Sequence, residues 1–187
     1  MEREVLTDLP MRYLVLSCSL NPASRSRILA RMVHQHLASR PGGAELVDLQ
    51  DYSLPISDAG ACYSHPHVIE LAPKVRAAKA VVVATPIYNY DVNSAAKNFL
   101  ELTGQAWEGK VVGFICAAGG HGSYMSVMPF ANSLMLDYRC HIVPRFVYAA
   151  PAHIDESTFG DEALNRRIEE LAAETQHVTD ALFPRGK

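Results

Sequence analysis

A polar segment rich in hydroxyl groups follows the first apolar run of the chain, Tyr13 to Leu16. Its candidate phosphate ligands are three hydroxyls and one guanidinium: Ser19, Ser24, Ser26 and Arg25. A helical pattern begins directly afterwards, near Arg27. The first N–H groups of a helix have no partners within the helix, and the helix dipole adds partial positive charge there. A strand, a tight polar loop and a helix start therefore predict a phosphate site. An ordinary N-cap is the alternative, because Ser and Asn also favour helix starts.

A second candidate segment, residues 85–94, is unusually aromatic for a connection between a strand and a helix. Tyr88 and Tyr90 offer flat surfaces for a planar ring, and the backbone near Ile87 and Asn89 offers donors to a heterocycle. The alternative is that both tyrosines pack on the protein surface or on a partner subunit. The segment therefore predicts either a ring-binding loop or a contact surface.

A third candidate segment is the glycine-rich loop formed by Gly119, Gly120, His121 and Gly122. Glycines let a backbone approach a ligand closely and aim its N–H groups at it. His121 either stabilises developing negative charge or is a solvated loop residue, and on its own the second interpretation is favoured. One loop that suits a phosphate, one that suits a flat ring and one that suits a ring edge together describe FMN. Neither GxGxxG nor GxxxxGK[ST] follows the first strand, which disfavours a dinucleotide-binding dehydrogenase and a P-loop nucleotidase.

The composition predicts one globular domain over residues 1–187, with residues 1–10 as a short arm. Hydrophobic residues make up 49% of the chain, and the formal net charge is -3, which argues against a nucleic-acid partner. The four cysteines are scattered without CxxC spacing, so we expect no metal site and a reducing cytoplasm. No apolar run approaches the ~20 residues of a membrane span, and the first ten residues do not resemble a signal peptide.

Strand patterns alternate with helical patterns along the chain. The predicted strands cover about Met11–Ser17, Ala44–Leu49, Ala80–Thr85, Lys110–Ala117 and His141–Tyr148. The predicted helices cover about Arg27–Ser39, Val68–Ala78, Ser94 to Gly104, Tyr124–Tyr138 and Asp161–Phe183. This alternation predicts an α/β fold, a three-layer sandwich with a five-stranded parallel sheet. The flavodoxin-like order 2-1-3-4-5 places a ligand beyond the carboxyl ends of strands one, three and four, where the three candidate loops lie.

The sequence resembles the NADPH-dependent FMN reductases of flavodoxin-like fold, which include azobenzene, chromate and quinone reductases and the FMN reductases that serve sulfonate monooxygenases. The resemblance is carried by Thr85-Pro86-Ile87-Tyr88-Asn89 leading to Lys97-Asn98, by Asp51-Tyr52-Ser53-Leu54-Pro55, and by Gly119-Gly120. It implies that Ser19, Ser24, Arg25 and Ser26 hold the FMN phosphate. It further implies that Thr85, Pro86, Ile87, Tyr88, Asn89 and Tyr90 lie along the ring and ribityl chain. The loop Gly119, Gly120, His121 and Gly122 would lie near the pyrimidine edge.

Two positions depart from the family pattern. Asn21 stands where members often have Arg, and we expect Arg25 to replace that function. Tyr90 stands where members often have Gly, and its ring would narrow the pocket over the flavin.

The activity that the resemblance implies is transfer of a hydride from NADPH or NADH to FMN. Two electrons then pass to a small-molecule acceptor, which is a quinone, an azo compound, a metal oxyanion or free flavin. No side chain need act as an acid or base, so we expect no catalytic side chain. The resemblance also implies a homodimer or homotetramer.

Two other functions remain open from the residues, beside a fold that only assembles with partners and has no working flavin site. One is a flavin electron carrier or redox sensor without enzyme activity. The other is a low-molecular-weight phosphatase, which also uses a Cys and an Arg in a loop after strand one. Six residues separate Cys18 from Arg25, whereas that chemistry needs five.

Overall fold

The computed structural model describes residues 11–150, 154 and 161–185, so the predicted N-terminal arm lies outside the described residues. The strands are β1 (Tyr13–Ser17), β2 (Ala44–Asp48), β3 (Ala80–Tyr88), β4 (Asp91–Val92), β5 (Val111–Ala117), β6 (His141–Ile142) and β7 (Val147–Ala149). The helices are α1 (Arg25–Ala38), α2 (Pro66–Ala77), α3 (Ser94–Thr103), α4 (Met128–Tyr138) and α5 (Glu162–Leu182).

The sheet follows the order β2-β1-β3-β5-β6, with β7 also paired to β5 and the short β4 folded back on β3. All pairings except β3 with β4 are parallel. The prediction of an α/β fold with a flavodoxin-like strand order is therefore confirmed. Because β1, β3 and β5 are parallel neighbours, their carboxyl ends meet at one edge of the sheet.

The core lies on both faces of this sheet. On β1, Tyr13 and Val15 point towards α1 and α5, whereas Leu14 and Leu16 point towards α2, α3 and α4. Strands buried on both faces carry continuous apolar runs, which is why β3 and β5 were recognisable in the sequence. The two helical layers fix the sheet and hence the loops at its carboxyl edge.

The predicted fifth strand is wrong in one respect, because it is two short strands rather than one. β6 ends at Ile142 and β7 begins at Val147, with Pro144 between them. Proline has no N–H to donate to the ladder of hydrogen bonds, so the pairing with β5 is interrupted there.

Helix α2 begins at Pro66 instead of Val68. Two further helix starts differ from the predictions. Helix α4 begins at Met128 instead of Tyr124, with Pro129 in its first turn, where proline is favoured. Helix α1 begins at Arg25 instead of Arg27. This second correction makes Ser24 the N-cap residue and places Arg25 and Ser26 in the first turn.

Candidate functional site

A cavity of about 350 Å³ lies at the carboxyl edge of the sheet, between the three loops that follow β1, β3 and β5. Its lining is Asn21, Ala23, Ser24, Arg25, Ser26, Pro86, Ile87, Tyr88, Ala117, Ala118 and Gly119. The structure thus brings together seven of the predicted site residues: Ser24, Arg25, Ser26, Pro86, Ile87, Tyr88 and Gly119. The other predicted residues lie outside this lining and are described below.

The N-terminus of α1 has the properties of an anion site. Ser24 makes no capping hydrogen bond with its side chain, and the first turn contains no acidic residue. Instead, Ser24 Oγ and Ser26 Oγ lie 2.9 Å apart, and the exposed Arg25 adds a positive charge. In α5, by contrast, Asp161 accepts a hydrogen bond from Leu164 N at 3.0 Å, as a capping residue should. The first N–H groups of α1 are therefore left for a ligand.

The loop after β3 is a tight hairpin turn. Ile87 pairs with Val92 and Tyr88 with Asp91, which leaves Asn89 and Tyr90 as the two turn residues. Both have positive φ, 51° for Asn89 and 62° for Tyr90. Such a turn favours Asn at its first position and Gly at its second, so Tyr90 occupies a strained backbone conformation. Asn89 and Tyr90 therefore lie at the tip of the loop, while Tyr88 lines the cavity.

The side chain of Tyr90 is 72% exposed and reaches from this turn towards the glycine-rich loop. A Cβ atom placed on Gly122 would lie 4.0 Å from the Tyr90 hydroxyl. Tyr90 thus approaches the loop that follows β5, although it lies outside the lining of the cavity.

The glycine-rich loop has open space beside its first two residues, of which Gly119 lines the cavity. A Cβ atom placed on Gly119 or Gly120 would meet no heavy atom of the described residues within 4 Å. The loop is anchored from behind, because the Tyr148 hydroxyl donates to Gly120 O at 2.7 Å and pairs with Ser123 Oγ. Neither a positive φ nor a close neighbour requires glycine at residue 119. The space beside Gly119 is therefore open, and this residue lines the cavity.

His121 lies apart from the first cavity. It is exposed and lines a second cavity of about 400 Å³, next to Tyr124 and the N-terminal part of α5. The structure therefore places this predicted site residue in a different cavity from the one lined by Ser24, Arg25, Ser26 and Gly119.

Ser19 and Thr85 are buried and serve to build the loops. Ser19 Oγ accepts a hydrogen bond from Asn21 N at 3.3 Å. Thr85 Oγ1 donates to Asn93 Oδ1 at 3.0 Å, and Asn93 Nδ2 donates to Cys18 O at 2.7 Å. Asn93, which sequence reasoning missed, therefore connects the loop after β3 to the loop after β1. Its only signal in the sequence was its place just before α3, where Asn reads as an ordinary cap.

The Lys97-Asn98 pair has a structural role in this molecule. Asn98 accepts a hydrogen bond from Ser57 N and donates to Pro55 O, both at 2.9 Å. Lys97 forms an exposed ion pair with Glu101 one turn further along α3. Asn98 thus fastens the segment that follows β2 to α3.

The Cys18 thiol does not fit a phosphatase nucleophile. The residue is fully buried, and this burial, aided by the charge of Asp48, raises the pKa of the thiol far above its usual value. A nucleophilic cysteine needs the opposite, an accessible thiolate with a lowered pKa. The phosphatase alternative is therefore disfavoured.

Comparison with known proteins decides the family. Residues 11–154 match the model of the family described as NADPH-dependent FMN reductase. The chain belongs to this family. It is 30% identical over 140 residues to the NAD(P)H-dependent FAD/FMN reductase of Geobacillus thermodenitrificans. The aligned region covers 72% of this chain and 74% of that protein. It is 23% identical over 155 residues to the NADPH azoreductase of Bacillus sp., covering 82% and 84% of the two chains.

Solved structures of other flavoproteins share the fold of this FMN reductase family member. RosB, solved with bound 8-demethyl-8-formylriboflavin-5′-phosphate, has a TM-score of 0.73 at 22% identity, covering 92% of this chain and 80% of that chain. FerB, an NAD(P)H:acceptor oxidoreductase from Paracoccus denitrificans, has a TM-score of 0.70 at 17% identity, covering 89% and 98%. The predictions of the family, of flavin-dependent oxidoreduction and of FMN with NAD(P)H are confirmed.

The described residues fit FMN, the cofactor of the family. The uncapped first turn of α1 suits a phosphate, and the open face of Gly119 suits close approach of a ring edge. In the same ranges, 11–150, 154 and 161–185, no cluster of His, Cys, Asp or Glu has the arrangement of a metal site. None of the helices described there is long and apolar enough to cross a bilayer.

Proposed function

We propose that this chain is an FMN-dependent NAD(P)H oxidoreductase whose FMN phosphate binds at the first turn of α1. The observation that carries this proposal is the cavity between the three loops, with an uncapped helix N-terminus at one end and an open glycine backbone at the other. Ser24, Ser26 and Arg25 hold the phosphate. Pro86, Ile87 and Tyr88 flank the ring and ribityl chain, with Thr85 behind them and Asn89 and Tyr90 at the loop tip.

The protein contributes binding and electrostatics to the reaction. When bound, FMN supplies the chemistry that carries two electrons from a reduced nicotinamide to an acceptor. Arg25 and the first N–H groups of α1 balance the charge of the phosphate. The backbone N–H groups of the Gly119 to Gly122 loop stabilise negative charge at the pyrimidine edge, with His121 at the periphery. Tyr88 and Tyr90 limit access to the ring from the side of the β3–β4 turn.

The substrate class that this arrangement supports is a small, flat electron acceptor such as a quinone or an azo compound. The azoreductase relative and the aromatic ring of Tyr88 in the cavity lining both favour this class. We further propose a cytoplasmic homodimer or homotetramer that acts without nucleic acid or membrane. Support for the oligomer comes from the exposed apolar side chains of Met135 and Leu136 on α4.

The first test is the visible absorption spectrum of the purified protein, before and after addition of excess FMN and removal of the unbound fraction. We expect retained flavin bands that bleach anaerobically when NADPH or NADH is added. A protein that retains no flavin and leaves the spectrum of added FMN unchanged would contradict the proposal.

The same experiment separates an enzyme from an electron carrier, which is the second candidate function. A carrier needs a separate reductase, so its flavin bands would persist after NADPH or NADH alone was added. The formal net charge of -3 favours the enzyme, since carriers of this fold are usually far more acidic.

A further inference from the structure

Arg27 lies beneath the loop that joins β1 to α1 and binds three of its carbonyl groups. Nη1 donates to Asn21 O at 2.8 Å and to Pro22 O at 2.9 Å, and Nη2 donates to Ser19 O at 3.0 Å. The residue is only 7% exposed and lies outside the lining of the cavity. One guanidinium thus fixes the course of the whole loop from its buried side.

The charge of Arg27 is balanced from the neighbouring strand. Its Nε donates to Asp48 Oδ2, and Asp48 is the last residue of β2, paired in register with Ser17 of β1. The Asp48 carboxylate also accepts a hydrogen bond from Gln50 N at 3.1 Å, which holds it in place. The loop is therefore tied, through Arg27 and Asp48, to the rigid part of the sheet.

This arrangement has an electrostatic consequence for an anion in the cavity. Carbonyl oxygens carry partial negative charge and repel a phosphate at short range. The three carbonyls bound to Arg27 point to a buried cation outside the cavity. The residues of this segment that line the cavity are Asn21, Ala23, Ser24, Arg25 and Ser26, and they include the hydroxyls of Ser24 and Ser26 and the charge of Arg25.

We propose that Arg27, with Asp48, is a positioning residue that shapes this loop for the phosphate end of FMN. The inference rests on the proposed function, because it concerns the same cavity. Arg27 acts through the loop without touching the phosphate. It therefore governs the preference for FMN over riboflavin, which has the same ring and lacks the phosphate.

The contributions of the planar guanidinium of Arg27 and of its charge can be tested separately by substitution. Lysine at residue 27 keeps the charge but lacks the fork that reaches several carbonyls at once. Arg27→Lys therefore retains the attraction to Asp48 and releases at least one loop carbonyl. Asp48→Asn keeps a polar side chain of the same size and removes the opposing charge.

Arg12 provides a matched control at the other end of β1. Its Nη2 donates to Thr179 O at 3.2 Å and to Phe183 O at 2.6 Å, and it pairs with Asp180 at 2.9 Å. The Arg12 and Arg27 side chains are 11% and 8% exposed. Arg12→Lys thus alters a similarly buried guanidinium in the body of the protein and leaves the loop after β1 intact.

The experiment measures dissociation constants for FMN and for riboflavin by flavin fluorescence, with thermal unfolding of each flavin-free protein alongside. For Arg27→Lys we expect the FMN constant to rise about tenfold or more, while the riboflavin constant changes less than about twofold. For Asp48→Asn we expect the same pattern as for Arg27→Lys, with a smaller rise in the FMN constant and little change in the riboflavin constant. Arg12→Lys should lower the unfolding temperature and leave both constants unchanged.

Other outcomes have distinct meanings. If the wild type binds FMN more tightly than riboflavin and Arg27→Lys keeps that ratio, the role of Arg27 is refuted and the proposed function stands. Equal losses for both flavins, matched by a lower unfolding temperature, would show a merely structural role and also refute it. If the wild type binds neither flavin, the proposed function itself fails.

Discussion

Arg25 is the residue that best distinguishes a phosphate site from an ordinary helix N-terminus. It is exposed and lines the cavity at the first turn of α1, where a cation gains nothing from the helix dipole. For Arg25→Ala we expect the dissociation constant for FMN to rise roughly 10- to 100-fold, since a charge-assisted bond to a dianion is lost. Riboflavin binding should not change. Titration by flavin fluorescence quenching measures both.

Arg31 offers the matched control for this prediction. It is exposed on the same helix, six residues further along, and lies outside the cavity lining. If Arg31→Ala weakened FMN binding as much as Arg25→Ala, general charge attraction would explain the effect, and the assignment of Arg25 to the phosphate would be wrong.

Gly119 gives a second test at the scale of one residue. A methyl group at residue 119 would contact no described protein atom within 4 Å, so Gly119→Ala should unfold at the same temperature as the wild type. We expect it to weaken FMN and riboflavin alike, by about tenfold, because the methyl group would occupy the space proposed for the ring edge. Binding is measured as for Arg25. Unchanged binding of both flavins would place the ring elsewhere.

Single residues were predictable where local pattern defines their role. Ser24, Arg25 and Ser26 were expected at the cavity because a helix start after an apolar strand is visible in the sequence. Arg27 and Asn93 were missed because their partners are distant along the chain. Arg27 binds Asp48, which is 21 residues away, and Asn93 binds Cys18, which is 75 residues away. No local pattern carries such pairings.

The β3–β4 turn carries a prediction at the scale of an element. Tyr90 has a φ of 62°, which costs a bulky residue on the order of 1 kcal/mol relative to glycine. Tyr90→Gly should therefore raise the free energy of unfolding by roughly 0.5–1 kcal/mol. Denaturant unfolding of the flavin-free protein measures the change. Removal of the ring should also lower KM for a bulky azo acceptor more than for a small quinone.

Asn89 is the control for this turn. Its φ of 51° is also positive, yet asparagine tolerates the left-handed region far better than tyrosine does. Asn89→Gly should therefore change the unfolding free energy by only a few tenths of a kcal/mol. Destabilisation by Tyr90→Gly would mean that contacts of the ring outweigh the backbone strain.

The sequence pattern was enough to predict which segments form strands and which form helices. The residues at which these elements end depend on features that do not change the hydrophobic periodicity. The apolar pattern around Val143 and Phe146 continues through Pro144, although the hydrogen-bond ladder does not. The extension of β3 to Tyr88 was also missed, because Pro86 reads as the end of a strand. In the structure Pro86 pairs with Ala117, so it lies within the sheet.

At the scale of the whole molecule, Lys110 links stability to pH. It is buried where β5 begins and donates to Arg76 O at 3.0 Å and Ala78 O at 2.6 Å, which joins the end of α2 to the sheet. Burial, together with the nearby charge of Lys79, lowers the pKa of Lys110 from 10.5 to about 8. Between these two values the unfolded chain binds more protons at this residue than the folded protein does. The contribution of Lys110 to stability therefore rises with pH across that window.

Lys110→Met tests this linkage. We expect the wild type to be the more stable protein, with an advantage that grows by on the order of 1 kcal/mol between pH 8 and pH 10.5. Urea unfolding of both proteins at each pH measures it, and taking the difference cancels the titration of groups that they share. An advantage that shrank as the pH rose would show that the ammonium form is the one stabilised by folding.

The interruption at Pro144 has a consequence for how copies of this chain can meet. A free sheet edge is a template on which another chain can add a strand, and long flat edges invite aggregation. Here the edge beyond β5 offers two residues in β6 and three in β7, with a proline between them. An incoming strand would find no continuous row of free N–H and C=O groups there. Self-association through this edge of the sheet is therefore disfavoured.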